Sequence, residues 1–412
     1  MGKQALAAVG STTSICNMLV NFFNGISIGA GVVISNYFGS RDDKSLHQAI
    51  ETTISSALLI GLAVSLLSLP LVPVMLELMD TQPDVIGLAS VYLRIYFLGV
   101  IFLFTYNMGS CILRAVGDTK RPLMFLIISS VLNIVLDLAF VVWMDMGIGG
   151  AAFATILSEA VSAVLVCVCL CRTEDVYRLD LRHLGVDWKI LRRIFMIGLP
   201  VGVQQSLTAF SNAFVQTYIN GFGSTAIAAG WSCHVKVDQF SILPVQSIGQ
   251  ATTTFVSQNL GAGKLDRAKQ GTKIAVRMGV AVLVAIGVCI YFSSEGLVRL
   301  FNGEADVLYY GILFITLMIP FRFFSAVNQV YAGALRGAKD SIGPMLIMLF
   351  SFVLVRQIYL WIATRYLYNV YVVGLGYPVG WIVSALLNRF YYFHCGWERR
   401  FQKELHRESS MK

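Results

Sequence analysis

The chain has 412 residues, of which 56% are hydrophobic and only 13% charged, with a mean hydropathy of +0.70; an average soluble domain carries about 25% charged residues. This composition excludes a soluble enzyme and a nucleic-acid-binding domain. The net charge of +8 and pI near 9.0 do not alter that, because a polyanion partner needs a basic face on a water-soluble fold, so the basic residues are topology signals first.

An apolar run of about 20 residues crosses the hydrocarbon core, and it does so as a helix because lipid offers no partner to backbone N–H and C=O groups. Eleven such runs follow one another at about 11–38, 48–75, 86–112, 122–144, 149–171, 194–219, 226–258, 274–300, 307–334, 344–364 and 370–394. The connections between them are short and polar and leave no room for a soluble domain. Alternate connections carry Arg41 and Lys44; Arg114, Lys120 and Arg121; Arg172 to Arg193; Lys264 to Lys273; Arg336 and Lys339; and a basic tail beyond Arg389. The other connections carry Glu77, Asp80, Asp84, Asp145, Glu295, Glu304 and Asp306, with little beyond Lys3, Arg299 and Arg365 to balance them. The positive-inside rule puts the basic set and the C-terminus in the cytoplasm, and eleven spans then put the N-terminus outside. The start, Met-Gly-Lys-Gln-Ala-Leu, lacks the features of a signal peptide, and the eight cysteines, mostly within apolar runs, act as small hydrophobes with no disulfide expected.

The chain repeats itself. One constant offset lays Ser35 on Ser257, Gly39 on Gly261, Leu113 on Leu335, Arg114 on Arg336, Asp118 on Asp340 and Pro122 on Pro344. Matched loops on the same membrane side make the halves parallel repeats about an axis along the membrane normal, with substrate sites expected near mid-membrane. The span at 194–219 has no counterpart, since the offset places it before Met1. The reading is therefore a chain one helix short of twelve spans, with a truncated or misannotated start; a genuine eleven-span protein is the alternative. The expected organisation is an N-terminal lobe of five helices over 1–171, a basic cytoplasmic linker at 172–193, a C-terminal lobe of six helices over 194–394 and a cytoplasmic tail at 395–412.

These residues resemble the multidrug and toxic compound extrusion (MATE) family. The likeness rests on Ala5-Leu6-Ala7-Ala8-Val9-Gly10, Gly39-Ser40, Leu113-Arg114-Ala115-Val116-Gly117-Asp118-Thr119, and Ser257-Gln258-Asn259-Leu260-Gly261-Ala262-Gly263-Lys264 with its spacing to Leu335-Arg336-Gly337-Ala338-Lys339-Asp340. It implies an all-α polytopic membrane protein of two helical bundles in a V, an antiporter expelling organic cations in exchange for Na+ or H+. It also implies that the absent helix is the family's first, which usually brings an aspartate to the N-lobe coupling site.

An intramembrane acid is a functional candidate by default, since translocon data set its penalty at about 2.5–3.5 kcal/mol. Asp137 is such an acid, and Asn133 shares its helix face four residues earlier. Carboxylate and carboxamide oxygens suit a hard cation such as Na+, and the carboxylate alone takes a proton. Thr155 and Glu159 repeat the spacing on the next span. The resemblance implies a cation site on Asn133, Asp137 and Thr155; Glu159 is added from its position alone. A bland reading, in which the two pairs only tie helices together, stands beside this one. The repeat offset takes Asn133, Asp137 and Thr155 to Val355, Tyr359 and Tyr377, so coupling is expected in the first half only.

The second half instead buries charge at Lys236, Asp238, Arg322 and Arg356, with Gln204, Gln205 and Asn212 on its first helix as candidate polar lining of a substrate cavity. The bland reading is that Asp238 neutralises one of the basic groups and pins helices. Phe210, Phe240 and Phe321 offer cation–π faces but more commonly pack or face lipid. Arg114 with Asp118 and Arg336 with Asp340 read as latches at helix ends, and Pro200, Pro244 and Pro320 as bends. Gly39 to Ser45 only imitates a phosphate loop, since the second glycine and the preceding strand are missing, and neither the cysteines nor the five histidines form a metal or catalytic set.

Sequence alone therefore favours a monomeric, non-enzymatic exporter of small organic cations in a bacterial inner membrane. It is driven by Na+ or H+ and needs no ATPase, nucleic acid or cofactor. The rivals are a flippase of a lipid-linked anionic substrate, motivated by Lys236, Arg322 and Arg356, and a non-transporting receptor or membrane enzyme.

Overall fold

A computed structural model describes residues 3–78 and 82–410. Asp80 and Lys412, counted above among the loop and tail charges, lie outside the described residues. All regular structure in the described residues is helical, in the order α1 (Lys3–Ser40), α2 (Asp43–Ser68), α3 (Val72–Leu78), α4 (Pro83–Ala115), α5 (Lys120–Asp137), α6 (Gly147–Arg172), α7 (Trp188–Asn220), α8 (Thr225–Gly261), α9 (Leu265–Arg299), α10 (Ala305–Met318), α11 (Phe323–Gly337), α12 (Ile342–Met348), α13 (Arg356–Tyr366), α14 (Val370–His394) and α15 (Trp397–Ser410). Short 3₁₀ turns join α2 to α3 and α10 to α11, and π-helical segments follow α5 and α12.

Each of the eleven expected runs is helical. Among the described residues nine spans are long and apolar enough to cross a membrane, and α10 with α11 makes a tenth, bent by 50° where Pro320 interrupts it. The remaining run is α8, 37 residues long but too polar to qualify on apolarity alone. Pro200 and Pro244 lie inside α7 and α8 without interrupting either helix, whereas the chain at Pro320 breaks into two helices.

The chain forms two compact units, Met1–Gly202 and Val203–Lys412. In the first, α4 is the central helix, flanked by α1, α2 and α6. Phe23 and Phe104, both fully buried, meet with ring centroids 4.4 Å apart. The first part of α7 packs on α1 through glycines: a Cβ on Gly25 would overlap the Gly202 nitrogen, and one on Gly29 would lie 2.6 Å from that of Gly198. Lipid-embedded helices gain nothing from hydrophobicity against one another, so such small residues, which let backbones approach, supply the packing. In the second unit α8 and α11 cross equally closely, with Gly333 against the Gly249 carbonyl, around a core of Trp231, Phe314, Leu360 and Trp381.

The repeat extends to single hydrogen bonds. At the end of α1, Arg41 N–H donates to Phe38 O and Asp42 N–H to Tyr37 O; at the end of α8, Gly263 donates to Leu260 O and Lys264 to Asn259 O, donors and acceptors all displaced by the repeat offset. At the end of α4, Gly117 donates to Arg114 O and Asp118 to Leu113 O, matched at the end of α11 by Lys339 to Arg336 O and Asp340 to Leu335 O. These are Schellman caps, which need one left-handed residue. Glycine fills that position at Gly117 (φ 98°) and Gly263 (φ 72°), but Lys339 (φ 64°) and Arg41 (φ 56°) fill the equivalents.

A left-handed non-glycine residue is strained by about 1–2 kcal/mol, part of which glycine returns as unfolded-chain entropy. Arg41→Gly is therefore expected to raise the unfolding midpoint of the purified protein, by the equivalent of about 1 kcal/mol or less. Gly263→Ala at the matching cap is expected to lower it by about 1 kcal/mol. Thermal denaturation in detergent measures both.

Candidate functional site

In the first unit α5 and α6 are zipped by short hydroxyl side chains. Ser129 Oγ donates to Ser158 O at 2.8 Å and Ser162 Oγ to Ser129 Oγ at 3.5 Å. Ser129, Asn133 and Asp137 recur every four residues, so one face of α5 carries all three. Asp137 is the last α-helical residue before the π-helical segment Leu138–Trp143, in which Met144 N–H reaches back to Ala139 O at 2.9 Å. Such segments recur at functional positions in helices. Asn133 and Asp137 are half-buried, and Asn133 Nδ2 and Asp137 Oδ1 are enclosed with no hydrogen-bond partner. Thr155 Oγ1 donates to Ala151 O at 3.0 Å within its own helix, which leaves its lone pairs free to accept.

Glu159 is half-buried one turn beyond Thr155. Two residues not anticipated from sequence approach these acids: Tyr92 and Tyr96 of α4, stacked with centroids 6.3 Å apart and rings inclined by 12°. The Tyr92 phenol lies within electrostatic reach of both Asp137 and Glu159, and that of Tyr96 within reach of Glu159. Their four-residue spacing within an apolar run was the available signal. The donor set of carboxylate, carboxamide and hydroxyl oxygens fits a hard monovalent cation or a proton, and the unpartnered Asp137 Oδ1 is the position such an ion would satisfy.

The second unit has the opposite polarity. Arg322, at the break between α10 and α11, pairs with Asp238 of α8 at 3.0 Å and lies 4.5 Å above the Trp381 ring. Arg356 opens α13 directly after the π-helical segment Leu349–Val355 and has no exposed surface. Its Nη1 donates to Asn212 Oδ1 at 2.9 Å and its Nη2 to Ser211 Oγ at 2.6 Å, while Phe352 and Tyr377 present ring faces at 5.4 and 4.9 Å. Ser211 Oγ donates a hydrogen bond to Phe352 O at 2.5 Å, satisfying a carbonyl of the π-helical segment.

Lys236 does not join this group, since it is exposed and lies 5.0 Å over the Phe301 ring. Two positions from Asp238 on one helix, it points to another side. Gln204 is buried with Oε1 unpartnered, Gln205 is half-buried and Asn212 is exposed. Phe210 and Phe240 face outward, while Phe321 is half-buried. Tyr377, Trp381 and Ser211 were not anticipated as partners, although Tyr377 is the repeat image of Thr155.

At the two loops, Asp118 accepts from Arg121 N–H and Asp340 from Gly343 N–H, both at 3.1 Å and again related by the repeat offset. Their charge partners are Arg121 Nε at 3.3 Å and Arg400 Nη2 at 2.8 Å, not the arginines four residues earlier.

A family model for MatE matches residues 1–139 and 200–362 of the chain. The chain is 28% identical over 402 residues to the probable multidrug resistance protein YoeA of Bacillus subtilis, covering 95% of this chain and 86% of that protein. It is also 28% identical over 400 residues to the probable multidrug resistance protein YpnP of the same organism, covering 97% and 88%. A solved outward-facing conformation of a multidrug resistance MATE family transporter of the MOP superfamily has the same fold, with TM-score 0.90 and 21% identity over 98% of this chain and 89% of that one.

Removing one member of a buried ion pair leaves an uncompensated charge, at a cost of about 3–5 kcal/mol. Asp238→Asn is thus expected to destabilise the protein by that order, and the double change Asp238→Asn with Arg322→Gln by clearly less. A double-mutant cycle on unfolding midpoints measures the difference.

Proposed function

The chain belongs to the MatE family of multi-pass membrane efflux transporters, and we propose that it exports organic cations and drugs in exchange for Na+ or H+ by alternating access. The observation that carries the coupling step is Asp137: a half-buried carboxylate within a span, one oxygen enclosed and unpartnered, one turn from Asn133.

An ionised carboxylate at that depth is penalised by about 2.5–3.5 kcal/mol. Binding a cation or a proton removes the penalty in whichever conformation encloses the group and changes little where it meets water. A differential of about 3 kcal/mol moves a two-state equilibrium by roughly a hundredfold, enough for ion occupancy to select between outward-open and inward-open states. Asn133 and Thr155 supply further oxygens around Asp137, and Glu159, held near Tyr92 and Tyr96, adds a second exchangeable charge. No ATP enters the cycle; the gradient alone drives export. The protein acts as a monomer in the bacterial inner membrane with its C-terminus in the cytoplasm.

Asp137→Asn is expected to abolish gradient-driven efflux of a cationic dye from proteoliposomes while membrane insertion and thermal stability hold. Undiminished transport by that variant would remove the coupling assignment. Glu159→Gln is expected to slow efflux without abolishing it.

A further inference from the structure

The interior charges of the second unit do not balance. Asp238 cancels Arg322 at 3.0 Å. Arg356, with no exposed surface, has no carboxylate partner among the described residues; it is held by the neutral oxygens of Ser211 and Asn212, the face of Phe352, and the ring and hydroxyl of Tyr377. Its Nε is buried and unpartnered. Arginine stays protonated in such surroundings, so one positive charge is held in a membrane-spanning segment by dipoles and ring quadrupoles alone. Those contacts orient a guanidinium without neutralising it. A lone intramembrane charge normally finds a partner of opposite sign, and here no part of the described chain provides one.

Asn212 shows where that partner would sit. Its Oδ1 lies 2.9 Å from Arg356 Nη1, the separation of an arginine–carboxylate bond, yet it is an amide oxygen with no charge. Asn212 itself is exposed, so one hydrogen bond links the enclosed guanidinium to a residue that reaches the protein surface. A carboxylate or phosphate oxygen that displaced it would bond to Nη1 and bring the negative charge that the amide lacks. Ser211 is already committed to Phe352 O, Arg356 and Gln357, which fixes the fork in place.

We propose that Arg356, gated by Asn212 and steadied by Ser211, is an anion site that takes the single carboxylate or phosphate group of an otherwise apolar ligand. The proposal rests on the exporter reading and deepens it: the molecules that bind here carry an anionic group in addition to any cationic one. The ligand reaches the site either as a transported solute or as a membrane lipid, and the two sources share the chemistry.

The test uses the full chain in phosphatidylcholine nanodiscs and equilibrium dialysis of three radiolabelled probes with one aromatic body: 2-naphthylacetate, 2-(2-naphthyl)ethanol and 2-(2-naphthyl)ethylamine, with empty nanodiscs as the partition blank. The acid is expected to bind at least tenfold more tightly than the alcohol. Arg356→Gln should remove that preference, whereas Arg365→Gln, at an exposed arginine stacked on Trp361, should keep it. Asn212→Asp builds the missing carboxylate into the chain; it should raise the unfolding midpoint and also abolish acid binding, so a folding failure of Arg356→Gln leaves the proposal open to refutation.

Equal binding of acid and alcohol by the unaltered protein overturns the proposal, as does tight acid binding by Asn212→Asp. Acid binding that tightens when the phospholipid is replaced by phosphate-free dodecyl maltoside micelles assigns the site to lipid phosphate; unchanged binding assigns it to solute. No gradient is involved, so the proposal can fail while Asp137→Asn still abolishes efflux, and the exporter reading then survives.

Discussion

A charge in hydrocarbon needs either a partner or an exchangeable counter-ion, and this requirement organises the polar interior of both halves. The first half carries a carboxylate, Asp137, whose inner oxygen has no partner among the described residues, the need that the proposed exchangeable cation would meet. The second half buries three arginines, Arg322, Arg336 and Arg356, of which Asp238 pairs with Arg322 in a closed pair. A closed pair pins α8 to the break before α11, while an open charge is available for exchange.

The repeat separates scaffold from chemistry. Helix caps, the left-handed residue in each cap and the aspartate that accepts the i+3 N–H recur at one unvarying offset, down to single hydrogen bonds. The charged interior does not recur: the images of Asn133 and Asp137 are Val355 and Tyr359, and Tyr359 spends its hydroxyl on Val372 O. Backbone geometry at helix ends is set by short-range sterics that any copy of the loop must satisfy. Interior charge is set by what the helix must bind, and nothing obliges the two halves to bind the same thing.

That difference also governs what was legible beforehand. The helices could be placed from apolar runs because the bilayer imposes their length, and the repeat was visible because Gly, Pro and Asp mark loops in sequence. Asp137 and Asn133 stood out because acids in apolar runs are rare. Pairings across helices were not legible: nothing in a one-dimensional chain says that Arg322 meets Asp238 while Lys236, two residues away, turns toward Phe301, or that Arg400 and not Arg336 reaches Asp340. The π-helical segments beside Asp137 and Arg356 left no compositional trace either, since both are runs of ordinary apolar residues. Tyr92 and Tyr96 were hidden for the converse reason, as tyrosines in a span are common and only proximity to acids distinguishes these two.

The polarity of α8 bears on how the chain is made. Asp238 leaves the ribosome before Arg322, and at about 5–20 residues per second the delay is on the order of 4 to 17 seconds. During that interval α8 carries an acid that lateral release into lipid would leave unneutralised, so the nascent segment is best retained beside the translocon or at its aqueous edge until the kinked span that ends at Gly337 emerges. The Arg322–Asp238 pair can close only after the later span is made, so neutralisation of the α8 acid by this partner is a late event in synthesis.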